Sequence, residues 1–356
     1  NAVVLKPSEV TPLISLRLAE LWRRAGNPGD VFQVVTGRGA TGAALIDRVD
    51  GVMFTGSVDT GRKVAARAAA RLIPCVTELG GKSPFVVLAS ADLDRAAEAA
   101  AWSSFVHSGQ ACIRTERIYV VESVAERFEN LLSERVRSLR QRVPDPAGDE
   151  ACDLGAVTFP RQLEVVERHL ADAQSKGARV AAGGKRRTEL EGNFFEPTLL
   201  VGATQEMAVM REETFGPLVA VMRVKDDEEA LRLANDSHLG LNATVFGAPE
   251  EAMALAWRLE SGQVIVNDAL VNYLVVEAPL GGWKQSGLGV RHGIEGLRQW
   301  TRTQAITLRR PLLAPVERLI AKFLAFPYDP RVLAFISRAL RLLYRRGLAE
   351  KFRAPR

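Results

Sequence analysis

Residues 75–88 read Cys-Val-Thr-Glu-Leu-Gly-Gly-Lys-Ser-Pro-Phe-Val-Val-Leu, two short apolar runs on either side of a glycine pair. Each run has the length and composition of a buried strand. Glu78 ends the first run, and Gly80 and Gly81 mark a place where the backbone approaches something closely. A strand-end glutamate solvated at the surface is the ordinary alternative. We predict that one domain ends at residue 79 and that a second begins at residue 80.

Upstream of this stretch, apolar runs alternate with segments of helical periodicity. The predicted strands and helices follow in the order 3–5, 11–25, 31–35, 42–47, 51–54 and 61–72. Short strands that alternate with helices are typical of βαβ units around a parallel sheet. The sequence therefore predicts an α/β fold.

The same alternation continues downstream. Strands are predicted at 85–88, 117–121, 196–201, 218–224 and 264–266, and helices at 92–108, 124–140, 160–176 and 228–234. Asp92 is the predicted N-cap of its helix. Glycine-rich turns follow Gly281, and residues 304–308 predict a last strand. We divide the chain into 1–79, 80–280, 281–310 and 311–356.

Composition excludes several classes of protein. The 356 residues are 47% hydrophobic and 25% charged, which is typical of globular domains rather than disordered or fibrous chains. No uncharged apolar run reaches the roughly 18 residues that a membrane-spanning helix needs. The three cysteines and four histidines show no metal-ligand spacing, so we predict no metal site. Unpaired cysteines favour a reducing compartment, and we expect a cytoplasmic protein.

The positive charge of the chain belongs to its last segment. From residue 309 onward, twelve Lys or Arg stand against three acids, a net +9 that leaves −4 for the rest of a chain whose total is +5. This distribution argues against nucleic acid as a partner. Residues 311–356 predict basic amphipathic helices, with an apolar stripe of Val332, Phe335, Ile336, Ala339, Leu340 and Leu343. Such a tail could dock on protein, either this chain or a neighbouring subunit, or make peripheral contact with an anionic membrane.

Two glycine turns compete as the phosphate site of a nucleotide. The first runs from Gly37 to Gly42 and follows a predicted strand, as a dinucleotide fingerprint does. The second is Phe54-Thr55-Gly56-Ser57, which also joins a strand to a helix. A helix N-terminus offers free N–H groups and a partial positive charge, both of which favour phosphate. The alternative for Ser57 is a simple N-cap.

A cysteine follows Glu78 after thirty-four residues, in Gly109-Gln110-Ala111-Cys112. A lone cysteine is most often an inert small hydrophobe. The glycine and glutamine at the end of a predicted helix favour instead an accessible thiol on a loop.

Taken together, these motifs resemble the NAD(P)-dependent aldehyde dehydrogenase superfamily over about residues 1–308. The motifs stand in the family's order and at similar spacing, namely Leu5 to Glu9, Phe54 to Ser57, Glu78 to Lys82, Gly109 to Cys112, Glu212 to Pro217 and Pro279 to Gly287. The stretches from Cys112 to Val120 and from Gly287 to Gly293 look similar to actinobacterial succinate-semialdehyde dehydrogenases. The resemblance implies a Rossmann-like cofactor domain that is incomplete here, an α/β catalytic domain and a late oligomerisation strand. It also implies a homodimer or homotetramer of the full-length protein.

The resemblance also implies a mechanism with Cys112 as nucleophile and Glu78 as general base. The thiolate would attack the aldehyde, a hydride would leave to the nicotinamide, and water activated by Glu78 would hydrolyse the thioester. The implied cofactor residues, from adenosine to nicotinamide, are Lys6, Ser8, Glu9, Gly37, Gly42, Phe54, Thr55, Gly56, Ser57, Leu79, Glu213 and Phe215. Glu9 near the ribose 2′ position favours NAD, with NADP as the alternative.

Three departures from the family pattern qualify this expectation. The family's oxyanion-hole asparagine lies upstream of Lys6, so we expect further sequence before residue 1 and poor activity of residues 1–356 alone. The position six residues before the nucleophile is Val106, with His107 next to it, which favours a neutral aldehyde over succinate semialdehyde. A CoA-acylating enzyme is a rival that needs no water-activating glutamate. A catalytically impaired chain that only binds nucleotide or partners is the remaining alternative.

Overall fold

The computed structural model describes residues 1–143, 148, 151–308, 321 and 330–344. Its strands are β1 Val3–Leu5, β2 Phe32–Val34, β3 Val52–Thr55, β4 Cys75–Glu78, β5 Pro84–Val87, β6 Arg117–Val121, β7 Arg179–Ala182, β8 Thr198–Val201, β9 Leu218–Val224, β10 Leu239–Gly240, β11 Asn242–Phe246, β12 Gln263–Val266, β13 Trp283–Lys284 and β14 Gly287–Leu288. Its α-helices are α1 Leu13–Arg24, α2 Gly39–Ile46, α3 Val58–Ala70, α4 Leu93–Phe105, α5 Glu122–Ser138, α6 Pro160–Ser175, α7 Ala208–Arg211, α8 Asp227–Asn235, α9 Pro249–Ala256, α10 Gly293–Arg298 and α11 Pro330–Tyr344. The chain divides into two compact units, Asn1–Thr301 and Arg302–Arg356.

A seven-stranded sheet forms the centre of the first unit. Its strand order is β12-β11-β5-β6-β9-β8-β7, and every neighbouring pair is parallel except β7 with β8. Alternate residues of β5 and β6 enter two separate hydrophobic clusters, one with α4 and α5 and the other with α6 and α8. Because both faces are covered, these strands read as continuous apolar runs. The predicted α/β fold is confirmed.

A smaller, three-stranded sheet contains Glu78. Its order is β14-β4-β3, in which β3 and β4 are parallel and β14 is antiparallel to β4. Glu78 stands at the carboxyl end of the central strand, opposite Thr55 on one side and Gly287 on the other. Motifs that lie 23 and 209 residues from Glu78 in the chain therefore meet at one edge.

The first residues of the chain form a separate pair of strands. β1 and β2 are parallel, and α1 lies beside them with Trp22 edge-on to Phe32. The predicted helix forms, but its apolar side chains stay exposed, 77% for Leu13 and 73% for Ile14. A two-stranded sheet offers too little apolar surface to bury such a helix.

The predicted N-cap of α4 is present. Asp92 accepts a hydrogen bond from the backbone N–H of Arg95 at 3.2 Å. The bond satisfies a donor that the first helical turn would otherwise leave free.

The predicted strand at residues 304–308 does not form. The segment has no regular structure, and Ile306 and Leu308 are more than 80% exposed. A strand exists only where a neighbour pairs its backbone groups, and no strand of the described residues pairs with this one. Its role as an oligomerisation strand therefore stays a prediction for the assembled protein.

The basic tail contains the predicted helix, α11. It has no acidic residue and exposes large apolar side chains such as Leu333, Leu340 and Leu343, whereas Val332 is buried. The rest of the predicted tail, 311–320, 322–329 and 345–356, lies outside the described residues. Among the helices that are described, none has the length and apolar character required to cross a membrane.

Candidate active site

The turn Phe54–Ser57 and Glu78 lie side by side because β3 and β4 end at the same sheet edge. The backbone N–H of Gly56 donates to the carbonyl of Glu78 at 3.1 Å. Ser57 caps α3, since its Oγ accepts from the Thr60 N–H at 3.4 Å and donates to Thr60 Oγ1 at 3.0 Å. The N-cap interpretation of Ser57 is thus what the structure contains. The exposed start of this 13-residue helix can also receive a phosphate, and that role stays a prediction.

The side chain of Glu78 is shielded from solvent. It is 2% exposed, and among the described residues neither carboxylate oxygen has a hydrogen-bond partner. Burial raises the pKa of Glu78 to about 7, and the positive charge of Arg291 opposes part of that rise. The predicted alternative, a glutamate solvated at the surface, is wrong. A carboxylate with such a pKa suits a general base near neutral pH.

The glycine pair after Glu78 provides the close approach that the sequence predicts. A Cβ at Gly81 would lie 2.6 Å from the carbonyl oxygen of Cys112. A Cβ at Gly80 would lie 2.5 Å from the carboxylate of Glu213. The backbone N–H of Gly81 also donates to Glu213 Oε1 at 3.0 Å. Only glycines let these three segments come together.

The loop before Cys112 is held in an unusual conformation. α4 ends at Phe105, and His107 and Ser108 then adopt left-handed φ values of 53° and 56°. Gly109 has a φ of 72°, and a Cβ there would lie 2.2 Å from the carbonyl of Gly216. Left-handed non-glycine residues cost about 1–3 kcal/mol each and persist only when the surroundings hold them. The strain lies in the segment that presents Cys112.

Cys112 is a half-buried thiol within the electrostatic range of both acidic residues. Burial raises its pKa, the charges of Glu213 and Glu78 raise it further, and Arg291 lowers it. The raised pKa favours the thiol over the thiolate, so a neighbouring base would assist the nucleophile. Cys112 and Glu78, predicted separately from sequence, are brought into one site.

A buried ionic cluster supports the nucleophile loop, and the sequence analysis did not identify it. Glu116 is 1% exposed and pairs with Lys82 Nζ at 2.6 Å and with Arg114 at 2.8 Å. It also accepts from the backbone N–H groups of Thr214 and Phe215, each at 3.1 Å. Burial pushes the pKa of Glu116 up, but the charges of Arg114 and Lys82 outweigh this and lower the pKa to about 2. The signal for this cluster in the sequence was the presence of charged residues directly beside the apolar runs of β5 and β6.

The same cluster fixes the segment of Glu213 and Phe215. Burial, assisted by the charge of Glu116, raises the pKa of Glu213 to about 7. Phe215 has a left-handed φ of 47° while its N–H bonds to Glu116. Glu213 therefore lies against the Gly80–Gly81 turn, and Glu116 holds the backbone of Phe215 two residues further on.

The predicted adenosine-side residues also converge. Lys6 Nζ donates to the carbonyl of Gly37 at 2.8 Å and lies 3.7 Å from the carboxylate of Glu9. A Cβ at Gly42 would lie 3.5 Å from Lys6 Cδ, so the glycine turn packs along the lysine stem. Ser8 is exposed and accepts from the N–H of Val10 at 3.2 Å. These contacts bring the motif from Leu5 to Glu9 and the Gly37–Gly42 turn together.

Leu79 contributes packing. Its side chain is 7% exposed and presses against Gly61 of α3, and its N–H donates to the carbonyl of Ser286 at 2.8 Å. The predicted cofactor contact of Leu79 stays a prediction. Binding of a dinucleotide along these residues likewise stays a prediction.

Comparison with known proteins identifies one matching family and several similar sequences. The model of the aldehyde dehydrogenase family matches residues 1–306. A Mycolicibacterium smegmatis protein named "Putative succinate-semialdehyde dehydrogenase", with NADP(+) in its name, is 43% identical over 88% of this chain and 60% of its own length. A 4,4'-diapolycopene aldehyde oxidase of a Methylomonas species is 44% identical over 83% of this chain and 55% of its own length. The chain thus spans about 60% of the length of the curated relatives that it matches.

Solved structures agree with the fold. Lactaldehyde dehydrogenase of Escherichia coli superposes with a TM-score of 0.82 at 37% identity, over 87% of this chain and 65% of that one. Betaine aldehyde dehydrogenase of Staphylococcus aureus, solved with NAD+, gives a TM-score of 0.78 at 35% identity, over 84% of this chain and 60% of that one. The residues matched by the family model, 1–306, include every strand of the seven-stranded and three-stranded sheets.

Proposed function

The chain belongs to the aldehyde dehydrogenase family, and from that premise we propose that the protein oxidises an aldehyde to a carboxylic acid with NAD(P). One observation carries the proposal. Glu78, a buried carboxylate with a pKa of about 7, ends the strand that leads into Gly80 and Gly81, and the carbonyl oxygen of Cys112 packs against Gly81. A base and a nucleophile arranged in this way suit acyl transfer through a thioester.

The first half of the proposed reaction is addition to Cys112. The thiol loses its proton to Glu78, and the thiolate forms a C–S bond to the aldehyde carbon while the carbonyl π electrons move to oxygen. A nicotinamide held beside Glu213 and Phe215 would supply the acceptor for the hydride of that carbon. The oxygen then re-forms its carbonyl bond, which leaves a thioester on Cys112.

The second half is hydrolysis of the thioester. Glu78 first releases the proton of the thiol to solvent. It then takes a proton from water, and the hydroxide adds to the thioester carbon. The C–S bond breaks, and the carboxylic acid leaves Cys112 as a thiolate. A CoA-acylating enzyme would not need this base, so the raised pKa of Glu78 favours hydrolysis.

The cofactor would span the two clusters of predicted residues. We propose that Lys6 and Glu9 hold the adenosine ribose, that the turn ending in Ser57 receives the pyrophosphate, and that Glu213 holds the nicotinamide ribose. Phe215 would pack by the nicotinamide ring. Because the carboxylate of Glu9 would repel a 2′-phosphate, we propose NAD as the preferred cofactor.

The substrate is proposed to be a neutral aldehyde. Val106 is half-buried and precedes the strained residues of the nucleophile loop, and an apolar side chain there offers no partner to a substrate carboxylate. Succinate semialdehyde is the alternative, in line with the name of the M. smegmatis relative.

The deciding experiment is formation of NAD(P)H by the whole protein with a panel of aldehydes, with and without CoA. Turnover of neutral aldehydes that does not require CoA is the expected result. Binding of nucleotide without turnover of any aldehyde would instead favour a non-catalytic, nucleotide-binding protein. Turnover only in the presence of CoA would favour the acylating reaction.

We further propose that the whole protein is a cytoplasmic homodimer or homotetramer whose tail docks on this chain or on a neighbouring subunit, with peripheral contact with an anionic membrane as the alternative. The helix α11 supports this contact, because it combines exposed apolar residues with Arg331, Arg338 and Arg341 and contains no acid. Co-sedimentation with phosphatidylserine vesicles that is lost on deleting 311–356 would support the membrane contact. No binding at low salt would leave protein as the partner of this helix.

A further inference from the structure

The segment after β14 carries an arginine that approaches Glu78. Arg291 Nε lies 3.9 Å from Glu78 Oε2, and both atoms are buried. Within the described residues, neither atom has a hydrogen-bond partner. The separation is too long for a direct hydrogen bond but short for two opposite charges. Arg291 therefore acts on Glu78 through its charge.

Contacts on both sides hold Arg291 in this place. Its backbone exchanges two hydrogen bonds with Leu280, each at 2.7 Å. The ring of Tyr273 lies 5.6 Å from the centre of the guanidinium, a cation–π contact. The next residue, His292, has a left-handed φ of 64°, which only a well-determined backbone sustains. The arginine is thus aimed by structure that lies outside the motif of Glu78.

Few other ionisable groups face the two reacting side chains. Among the described residues, Arg291 acts on both Glu78 and Cys112, and the carboxylates of Glu213 and Glu78 act on Cys112. Glu213 comes from the segment after α7 and Arg291 from the segment after β14. Arg291 is the positive charge of this set, against two carboxylates.

We propose that Arg291 is a positioning residue for the proposed reaction, one that keeps the Glu78 carboxylate charged and directed toward the thioester on Cys112. The inference rests on the proposed function. A buried carboxylate without hydrogen bonds favours its neutral form, and a neutral acid cannot take a proton from water. The charge of the guanidinium favours the ionised form of the carboxylate. Because the guanidinium makes no hydrogen bond to the carboxylate, the oxygens stay open to water.

The test compares Arg291→Met, Arg291→Lys and the control Arg298→Met in the whole protein. Arg298 is an exposed arginine seven residues further along and lies outside the proposed site. We follow kcat against pH with a substrate whose deacylation limits turnover. Loss of an opposite charge at this distance shifts a pKa by about one unit or more.

The expected result is a rise of the kcat midpoint by about one pH unit or more in Arg291→Met, so that the variant recovers activity at alkaline pH. Arg291→Lys should keep a midpoint near that of the wild type, because the charge remains. Arg298→Met should match the wild type throughout. A purely structural role would lower kcat at every pH and leave the midpoint in place.

Failure of the inference is distinguishable from failure of the proposed function. A wild-type protein without aldehyde-dependent NAD(P)H formation would contradict the function itself. An active wild type with an unchanged midpoint in Arg291→Met would overturn the role of Arg291. A higher KM confined to succinate semialdehyde, with the midpoint unchanged, would also overturn it and would assign the arginine to the substrate. Should Arg291→Met not fold, Tyr273→Leu loosens the guanidinium instead, and an unchanged midpoint there counts against the role.

Discussion

The backbone N–H of Gly81 donates to Glu213 Oε1 at 3.0 Å and ties the segment of Glu78 to the segment of Phe215. Cys112 touches the same glycine through its carbonyl oxygen. The proposed base, nucleophile and nicotinamide-side residues therefore share one point of attachment, where a side chain has no room. At Gly81 the site therefore depends on the absence of a side chain and not on a reactive group.

Replacement of Gly81 by alanine should impair activity without removing any functional group. The added Cβ would lie 2.6 Å from the Cys112 carbonyl oxygen, so the nucleophile loop must shift. Overpacking of this kind costs about 1–3 kcal/mol, and we expect lower kcat together with a lower melting temperature. Gly29→Ala is the matched control, because its Cβ would meet nothing closer than 3.8 Å. Equal activity of the two variants would contradict the argument.

Cys112→Ala should abolish aldehyde-dependent NAD(P)H formation by the whole protein, because the variant cannot form the thioester. Nucleotide binding, measured by quenching of intrinsic fluorescence, should persist. Cys152→Ala is the control, since this half-buried thiol faces the carbonyls of Arg142 and Leu154 outside the site. Turnover by Cys112→Ala would show that the nucleophile lies elsewhere.

Glu78→Gln should produce a burst of NAD(P)H followed by little steady turnover. In the variant, solvent water can accept the proton of the Cys112 thiol before the single acylation, whereas every hydrolysis step loses its base and slows by about 10²–10⁴-fold. In the wild type, kcat should rise with pH through about 7, because Glu78 must be deprotonated to act. Stopped-flow absorbance and a pH series measure both effects. The idea fails if Glu78→Gln turns over normally and keeps the same pH profile.

Glu116→Gln should destabilise the fold by about 3–5 kcal/mol, because Lys82 and Arg114 would remain buried without a compensating charge. Denaturant unfolding measures this free energy. Glu228→Gln is the control, since its pair with Arg258 is exposed and such pairs contribute about 0–1 kcal/mol. Similar losses in both variants would argue against a special role for the buried cluster.

Glu9→Ser should shift cofactor preference toward NADP. The carboxylate of Glu9 is about half exposed, and its repulsion of a 2′-phosphate about 4 Å away in water is worth about 1 kcal/mol. We therefore expect kcat/KM for NADP to rise about fivefold relative to NAD. Kinetics with both cofactors measure the ratio. A wild-type protein that already prefers NADP would contradict the assignment of Glu9.

Local sequence patterns were sufficient to predict much of the structure. Neighbouring residues were enough to predict the alternation of apolar runs and helical segments, the cap at Asp92 and the motifs around Glu78 and Cys112. Periodicity and turn chemistry depend on residues that are close together in the sequence. The pattern missed β11, an interior strand of the main sheet, because Asn242, Ala243 and Thr244 open it without a continuous apolar run. It also predicted a strand at 304–308 that has no partner among the described residues.

The sequence by itself determined the fold class, the family motifs and the identity of the proposed nucleophile and base. Only the tertiary structure decided the electrostatics of the site. The pKa of Glu78 follows from burial and from Arg291, which stands 213 residues away in the chain. The pairing of Glu116 with Lys82 likewise spans 34 residues. Charge interactions depend on distance and on exclusion of water, and neither exists until the sheets bring remote segments together.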